Sequence, residues 1–246
     1  MKIIPDIDLK DGKCVRLFQG EFDQSTEYSN DPVAVARRFS ALDVQDLHVV
    51  DLDGARSGEQ ANHVIVSTIA EETGLDVQLG GGIRDRYAVE AWLTHGVARC
   101  VIGSMAITDA GSVREWLREF GADRIVLALD VRVSTDGTPI LTTHGWTRDT
   151  ALSLWECIDQ YQDVGLKNVL CTDVSRDGAM AGPNVALYKE TARRYPNLVL
   201  QASGGVRHVG DLEELRAHGI PAAISGRALL DGAITSAEVA AFRQSA

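Results

Sequence analysis

Short apolar segments alternate along the chain with longer segments whose apolar residues recur with helical spacing. The apolar segments contain five to eight residues, and most of them do not alternate between apolar and polar positions. This pattern is typical of parallel strands that are covered on both faces. We predict strands over residues 2–8, 47–52, 76–81, 99–104, 124–131, 168–173, 198–203 and 222–226, and helices near 31–42, 63–73, 85–96, 110–121, 149–164, 184–195, 209–218 and 235–243.

The order of these segments predicts the fold. Strict alternation of strand and helix indicates right-handed crossover connections and therefore a parallel sheet. Eight strand–helix units within 246 residues favour a closed (β/α)8 barrel, the TIM barrel of the α/β class, over an open doubly wound sheet. No linker or change in composition marks a boundary, so we predict one barrel domain over residues 1–246.

The second half of the chain repeats the first. An apolar segment followed by Asp and then Asp-Gly-Ala occurs twice, with Asp51 in VVDLDGA and Asp173 in CTDVSRDGA. Three further matches have the same offset of 122 or 123 residues: LGGGIRD with ASGGVRH, VIGSMA with AISGRA, and PDIDLKDGK with LALDVRVSTDGT. Self-similarity at one offset predicts two half-barrels, about 1–123 and 124–246, related by approximate two-fold symmetry.

Glycines follow four of the predicted strands, in two symmetry-related pairs. TIM barrels carry their active sites at the carboxyl ends of the strands, with phosphate commonly held after strands 7 and 8. Glycine lets backbone N–H groups approach a phosphate, and a helix N-terminus favours an anion. We therefore predict two phosphate sites and a ligand with a phosphate at each end; the alternative is that these glycines only form tight turns. The candidate residues are Gly81, Gly103 and Ser104 in the first half, and Gly204, Gly205, Gly226 and Arg227 in the second.

Aspartates end two strands that face each other in an eight-stranded barrel, Asp8 on strand 1 and Asp130 on strand 5. Two carboxyl groups on either side of a substrate can act as general base and general acid if their environments separate their pKa values. The alternative is a pair of loop caps or ion-pair partners. Asp6 lies on the same side of strand 1 as Asp8, so it would either raise the pKa of Asp8 or pair with a buried Arg or Lys.

Polar residues after strand 6 add further candidates. Thr172 is expected either to orient a sugar hydroxyl or to be a satisfied strand-end hydroxyl. Asp177 and Gly178 fit substrate binding or a turn equally well, and Asp51 and Asp53 are open in the same way.

Two long segments after strands 1 and 5, residues 16–31 and 133–149, exceed the usual length of such loops and are expected to act as lids. Trp146 in the second segment is a candidate to stack on a flat ring of the substrate, or else it packs under its own loop. His48 and His144 are weaker candidates for assisting catalysis.

Composition narrows the class of function. A net charge of −11 argues against binding to nucleic acid or to an anionic membrane. No apolar run approaches the ~18 residues of a transmembrane helix, and the segment MKIIPDIDLKDGK has no signal-peptide pattern, so we expect a cytoplasmic protein. We expect free, mostly buried thiols rather than zinc ligands at Cys14, Cys100, Cys157 and Cys171.

The motifs together resemble a known family. IIPDIDLKDGKCVRLFQG, LHVVDLDGA, VQLGGGIR, IGSMA, LALDV, GLKNVLCTDVSRDGAMAGPN, and SGGV with SGRAL are similar to the isomerases of histidine biosynthesis that act on phosphoribosylformimino-aminoimidazole carboxamide ribotide. The resemblance spans essentially the whole chain. It implies an Amadori rearrangement of an aminoaldose to an aminoketose, without cofactor or metal, by a monomer that binds a substrate with a phosphate at each end.

The resemblance also implies roles for individual residues. Asp8 matches the general base that removes the C2′ proton, and Asp130 matches the general acid that helps to open the furanose ring. Thr172 and Asp177 match positions that contact the substrate, and the two glycine clusters match phosphate sites. Members of the family often have Ala where this chain has Asp6, which leaves open how the pKa of Asp8 is set.

Three other functions remain open from the sequence. The sister cyclase subunit of the same pathway has the same repeat and the same strand-end aspartates, although PDIDLKDGKCVRL is more similar to the isomerase. An isomerase that also accepts phosphoribosylanthranilate would be distinguished by residues 16–31 and 133–149. A non-catalytic sensor of bis-phosphate ligands would bind the substrate without turning it over.

Overall fold

The structure is a computed structural model that describes residues 1–18, 20–143 and 145–245. The described residues form twelve strands: β1 (Lys2–Lys10), β2 (Lys13–Phe18), β3 (Glu21–Ser29), β4 (Asp46–Asp51), β5 (Asp76–Gly80), β6 (Arg99–Ile102), β7 (Ile125–Val133), β8 (Pro139–Thr143), β9 (Arg148–Ser153), β10 (Asn168–Asp173), β11 (Val199–Ser203) and β12 (Ala222–Ser225).

Eight of these strands close into a parallel barrel in the order β1, β4, β5, β6, β7, β10, β11, β12. The barrel is closed because β12 pairs with β1, where Ala222 lies opposite Lys2, and β10 pairs with β7. The predicted (β/α)8 barrel is therefore confirmed. In this order β1 and β7 lie on opposite sides of the barrel, as the sequence predicted for the strands that carry Asp8 and Asp130.

Helices follow the barrel strands and cover their outer faces. Asp31 caps the first helix, because its side chain accepts a hydrogen bond from the Ala34 N–H and Pro32 occupies the first turn. The α-helices among the described residues are α1 (Pro32–Ser40), α2 (Leu52–Ser57), α3 (His63–Thr73), α4 (Arg86–Thr94), α5 (Met105–Thr108), α6 (Ala110–Phe120), α7 (Leu154–Asp159), α8 (Val185–Arg194), α9 (Val209–Ala217), α10 (Arg227–Leu230) and α11 (Ser236–Gln244). None of these helices is long and apolar enough to cross a membrane.

The helix predicted over 149–164 is wrong at its start. The first residues of that range belong to β9, and the helix begins only after Ser153. Ser153 and Glu156 form a capping box that fixes this boundary. A short 3-10 turn, Gln162–Val164, follows α7.

The two long segments predicted as loops are antiparallel hairpins. After β1 the chain turns back into β2, which pairs with β1 and β3. After β7 it turns back into β8, which pairs with β7 and β9. Each half of the repeat thus has a hairpin at the same place, after its first barrel strand, so the internal symmetry extends to the rim of the barrel.

The barrel interior consists of an apolar layer and a polar layer. An apolar cluster that includes Ile4, Val126 and Leu170 fills the end near the strand N-termini. Two residues nearer the mouth, Gln78 and Gln201, exchange reciprocal amide hydrogen bonds of 2.7 and 3.0 Å across the interior. These glutamines are 123 positions apart in the chain, so they are equivalent in the two halves and mark the approximate two-fold axis.

The repeated Asp-Gly-Ala motif stabilises equivalent loops in both halves. The buried Asp51 carboxylate accepts a hydrogen bond of 2.7 Å from the Asn62 amide, eleven residues later. Asp173 accepts one of 2.6 Å from the Asn184 amide at the same spacing. Asp53 is also used in its loop, where it accepts from the Asp11 N–H at 2.7 Å. Asp51 and Asp53 are therefore explained by their hydrogen bonds within loops, and Asp173 has the same kind of role in the second half.

Candidate active site

The hairpin after β1 brings a buried arginine against the strand-end carboxyl groups. Asp8 pairs in register with Val15 of β2, and Arg16 follows Val15 in the chain, beyond the last paired position of this ladder. Arg16 Nη1 lies 3.1 Å from Asp8 Oδ2 and also contacts Asp6 Oδ2, while Nη2 lies 3.6 Å from Asp177 Oδ2. We call Arg16 and these three aspartates the Arg16 cluster.

Burial changes the acidity of this cluster. The pKa of Asp8 rises to about 8, chiefly because burial disfavours the charged form, while Arg16 opposes the shift and Asp6 and Asp177 add to it. The Leu17 N–H donates to Asp8 and also lowers its pKa. Burial likewise raises the pKa of Asp177. These carboxyl groups keep protons to a higher pH than a free aspartic acid does, which is suited to proton transfer near neutrality.

Asp130 lies on the opposite side of the mouth with different partners. Trp146, in the turn between β8 and β9, donates its indole N–H to Asp130 Oδ2 at 2.8 Å. The Thr172 hydroxyl also hydrogen-bonds to Asp130, and Thr172 is its neighbour in register on β10. Burial raises the pKa of Asp130, and both hydrogen bonds oppose that rise. Each of the two aspartates thus has a raised pKa, but only Asp8 has a cation beside it.

The tips of the two hairpins meet over the mouth. A Cβ atom placed on Gly20, in the turn between β2 and β3, would lie 2.7 Å from the Trp146 ring. Trp146 itself has a positive φ of 69°. The tryptophan is therefore held between the Asp130 carboxylate and the opposite hairpin rather than under its own loop.

The glycine cluster of the second half lines a cavity of about 330 Å³ beside the Arg16 cluster, including space open to solvent. Arg227 does not reach freely into it, because Nη1 donates to the Gly178 carbonyl oxygen at 2.8 Å and Nε lies 3.2 Å from Asp231 Oδ2. The predicted site residues that line this cavity are Asp177, Gly178, Gly204, Gly205, Gly226 and Arg227.

Close backbone contacts account for some of the glycines without a ligand. A Cβ at Gly81 would overlap the Asp51 carbonyl oxygen, and one at Gly205 would overlap that of Gly182. Gly103 differs, because the nearest atom to its Cβ position is 3.9 Å away. It precedes the exposed Ser104 at the N-terminus of α5. Gly103 and Ser104 are therefore the residues of the first-half cluster that the turn alternative does not explain.

Sequence reasoning missed Arg16, which is the cation of the site. The one pointer to it was indirect: a buried Arg or Lys was one of the two expectations for Asp6, and KCVRLF places Arg16 among apolar residues. His48 was a weak candidate and is not at the mouth. It lies in the polar layer, where Gln78 Nε2 is 3.1 Å from its Nδ1 and burial lowers its pKa. His144 lies outside the described residues.

The four cysteines are free and buried, as predicted. Within the described ranges, no group of three or more His, Cys, Asp or Glu side chains is arranged to hold a metal ion.

One comparison with known proteins identifies the family. The sequence model of the family described as "Histidine biosynthesis protein" matches residues 2–235, which is nearly the whole chain and includes the Arg16 cluster, Asp130 and both glycine clusters. The closed barrel described above agrees with an enzyme of this kind. The chain therefore belongs to the histidine biosynthesis protein family.

Proposed function

We propose that the protein is the isomerase of this family, which converts the aminoaldose phosphoribosylformimino-aminoimidazole carboxamide ribotide to its aminoketose. The observation that carries the proposal is the pair Asp8 and Asp130. Asp8 is buried and Asp130 half-buried, both have raised pKa values, and they extend from opposite strands of one barrel with different partners. Such separation of environments is what an acid and a base acting on one substrate require.

The proposed reaction begins at Asp130. Its carboxyl group donates a proton to the ring oxygen of the furanose, the C1′–O bond breaks, and the nitrogen lone pair forms the C1′=N bond of an iminium ion. The carboxylate that remains is stabilised by the Trp146 N–H and the Thr172 hydroxyl, both of which donate to it.

Asp8 then acts as general base. It removes the proton at C2′, and the electron pair of that C–H bond forms C1′=C2′ while the C1′=N electrons return to nitrogen. The enol so formed gains a proton at C1′ and loses its O–H proton, which leaves the ketone at C2′. No electrons enter or leave the substrate, so the proposed step needs no redox cofactor.

Substrate binding is assigned to the two glycine clusters. One phosphate would lie at Gly103 and Ser104, next to Gly81, and the other in the cavity lined by Gly204, Gly205 and Gly226 with Arg227. Asp177 and Gly178 would contact the substrate between them, and Trp146 would cover its flat imidazole ring. The bis-phosphate substrate, a monomeric state and a cytoplasmic location remain expectations from the sequence.

Product analysis on purified protein tests this function. The aminoaldose is incubated with the protein, with and without ammonia, and phosphoribosylanthranilate is run in parallel. We expect the aminoketose to form independently of ammonia. Release of imidazole glycerol phosphate would instead identify the cyclase, turnover of phosphoribosylanthranilate would identify a dual-substrate isomerase, and binding without turnover would identify a sensor.

A further inference from the structure

Asp6 is a buried carboxylate in the candidate site that the proposed reaction does not use. Only 5% of its surface is exposed, and its Oδ2 contacts Arg16 Nη1. Its Oδ1 has no hydrogen-bond partner among the described residues, and neither has Arg16 Nε. The contact between Asp6 and Arg16 is therefore made through one atom of each side chain rather than through a bidentate pair.

Arg16 is shared among three carboxyl groups. The same Nη1 that contacts Asp6 lies 3.1 Å from Asp8, and Nη2 lies 3.6 Å from Asp177. Asp6 is the nearest of the three. A buried guanidinium that is free to move would pair as closely as it can with each carboxylate, because ion pairs are strong in a low dielectric. The position of Arg16 therefore decides how strongly its charge acts on Asp8.

We propose, on the basis of the isomerase function above, that Asp6 is a positioning residue that holds the Arg16 guanidinium deep in the barrel mouth. Held there, Arg16 pairs most closely with Asp6 and lies farther from Asp8, at 3.1 Å. Asp8 then keeps the basicity that removal of a carbon-bound proton requires. Asp6 acts through Arg16 and does not touch the reacting atoms.

The other groups around Asp8 do not supply this effect. Cys14 is a neutral thiol whose pKa burial raises to about 12, and His48 is kept neutral because burial lowers its pKa. Arg227 is held by Gly178 and Asp231. The titratable and charged groups facing the cluster are Asp6 and Asp8 on β1, Cys14 and Arg16 on β2, His48 on β4, Asp130 on β7, Asp177 after β10, and Arg227 on α10.

Two variants separate the charge of Asp6 from its hold on Arg16. Asp6→Asn removes the charge but keeps an oxygen that accepts from Arg16, whereas Asp6→Ala also releases Arg16 toward Asp8. The pKa of Asp8 is measured by ¹³C NMR titration of aspartate carboxyl groups, and kcat/KM for isomerisation is measured against pH. We expect the pKa of Asp8 to fall in Asp6→Asn and to fall further, by roughly one unit more, in Asp6→Ala. The acid limb of kcat/KM should move to lower pH in the same order.

Asp46→Asn is the matched control. Asp46 is the first residue of β4, at the end of the strand away from the barrel mouth. It is buried there and pairs with Lys2 at 2.7 Å and with Arg99. We expect this variant to lose stability without any change in the titration of Asp8. Thermal unfolding of each variant establishes that it is folded, since the positioning role is decided by comparing the two Asp6 variants.

Equal pKa values of Asp8 in the two Asp6 variants would overturn the positioning role, and an unchanged or raised value in both would overturn any role of Asp6 at Asp8. If the wild-type protein does not form the aminoketose, the proposed function fails. The carboxyl titration still decides the role of Asp6, since it needs no substrate.

Discussion

Asp8 and Asp130 are the same residue type at equivalent strand ends, but their surroundings differ. Asp8 lies beside a guanidinium and two further carboxyl groups, whereas Asp130 accepts hydrogen bonds from an indole and a hydroxyl. The charge around Asp8 changes as the neighbouring carboxyl groups gain or lose protons, whereas the indole and the hydroxyl beside Asp130 stay neutral. The two-fold symmetry of the backbone is therefore broken at the level of side chains, and this allows two different roles.

The first prediction concerns the pH dependence of the reaction. A base must be ionised, and Asp8 with a pKa of about 8 is mostly protonated below that pH. We expect kcat/KM to rise by up to about tenfold per pH unit on the acid side, where Asp8 becomes ionised, and to fall on the alkaline side, where Asp130 loses the proton that it donates. A pH–rate profile of the wild-type protein measures this, and a flat profile between pH 6 and 9 would be inconsistent with Asp8 as the base.

Only some of these residues could be predicted from the sequence. Asp8 and Asp130 were found because each ends an apolar segment, and the repeat pairs them. Arg16 was missed because its role depends on the chain turning back after β1, so that β2 lies against β1. A contact between neighbouring strands of a hairpin that was read as a loop has no signal in local periodicity.

At the scale of elements, the barrel strands were predicted well and the rim hairpins were not. The barrel strands are buried on both faces and are therefore apolar throughout. The segment EFDQSTEYS of β3 is mostly exposed and polar, so its composition is that of a loop. Its pairing with β2 stabilises it instead, and pairing partners are a property of the tertiary structure.

The contact between the hairpin tips gives a prediction at this scale. Gly20→Ala places a Cβ against the Trp146 ring, at 2.7 Å in the present geometry, so the ring must move away from Asp130. We expect kcat/KM to fall on the order of tenfold, since misplacement of a substrate-covering group weakens orientation of the substrate. Steady-state kinetics and Trp fluorescence measure the effect.

Gly137→Ala is the control for backbone strain. Gly137 also lies in a hairpin turn, with φ of 86° against 77° for Gly20, but nothing lies within 4 Å of its Cβ position. Both substitutions should cost about 1 kcal/mol of stability, because a non-glycine residue is strained at positive φ. Equal kinetic effects of the two would show that the contact with Trp146 has no role.

At the scale of the whole molecule, the two half-barrels meet in the polar layer of the interior. The repeat found in the sequence predicted this symmetry, but not that Gln78 and Gln201 bond to each other, because the offset of 123 residues says nothing about distance across the barrel. Both side chains are almost fully buried. Buried amides need their partners, since an unpaired polar group loses its interaction with water.

A double-mutant cycle tests this connection between the halves. Gln78→Leu removes the partner of the Gln201 amide, and Gln201→Leu leaves the Gln78 amide with only its contact to His48, so each should lower the free energy of unfolding by about 1–3 kcal/mol. The double variant should cost less than the sum of the two, by at least ~0.5 kcal/mol. Urea denaturation measures all three, and additive losses would show that the reciprocal hydrogen bonds contribute nothing as a pair.

In the proposed mechanism, Asp8 removes the C2′ proton of the aminoaldose. The most direct measurement is the rate of aminoketose formation by Asp8→Asn relative to the wild type, at pH 8 and saturating substrate. Asn has the shape of Asp but cannot accept the proton, so kcat should fall by about 10²–10⁴-fold. A variant that forms the aminoketose within tenfold of the wild-type rate would contradict the assignment of Asp8 as the base.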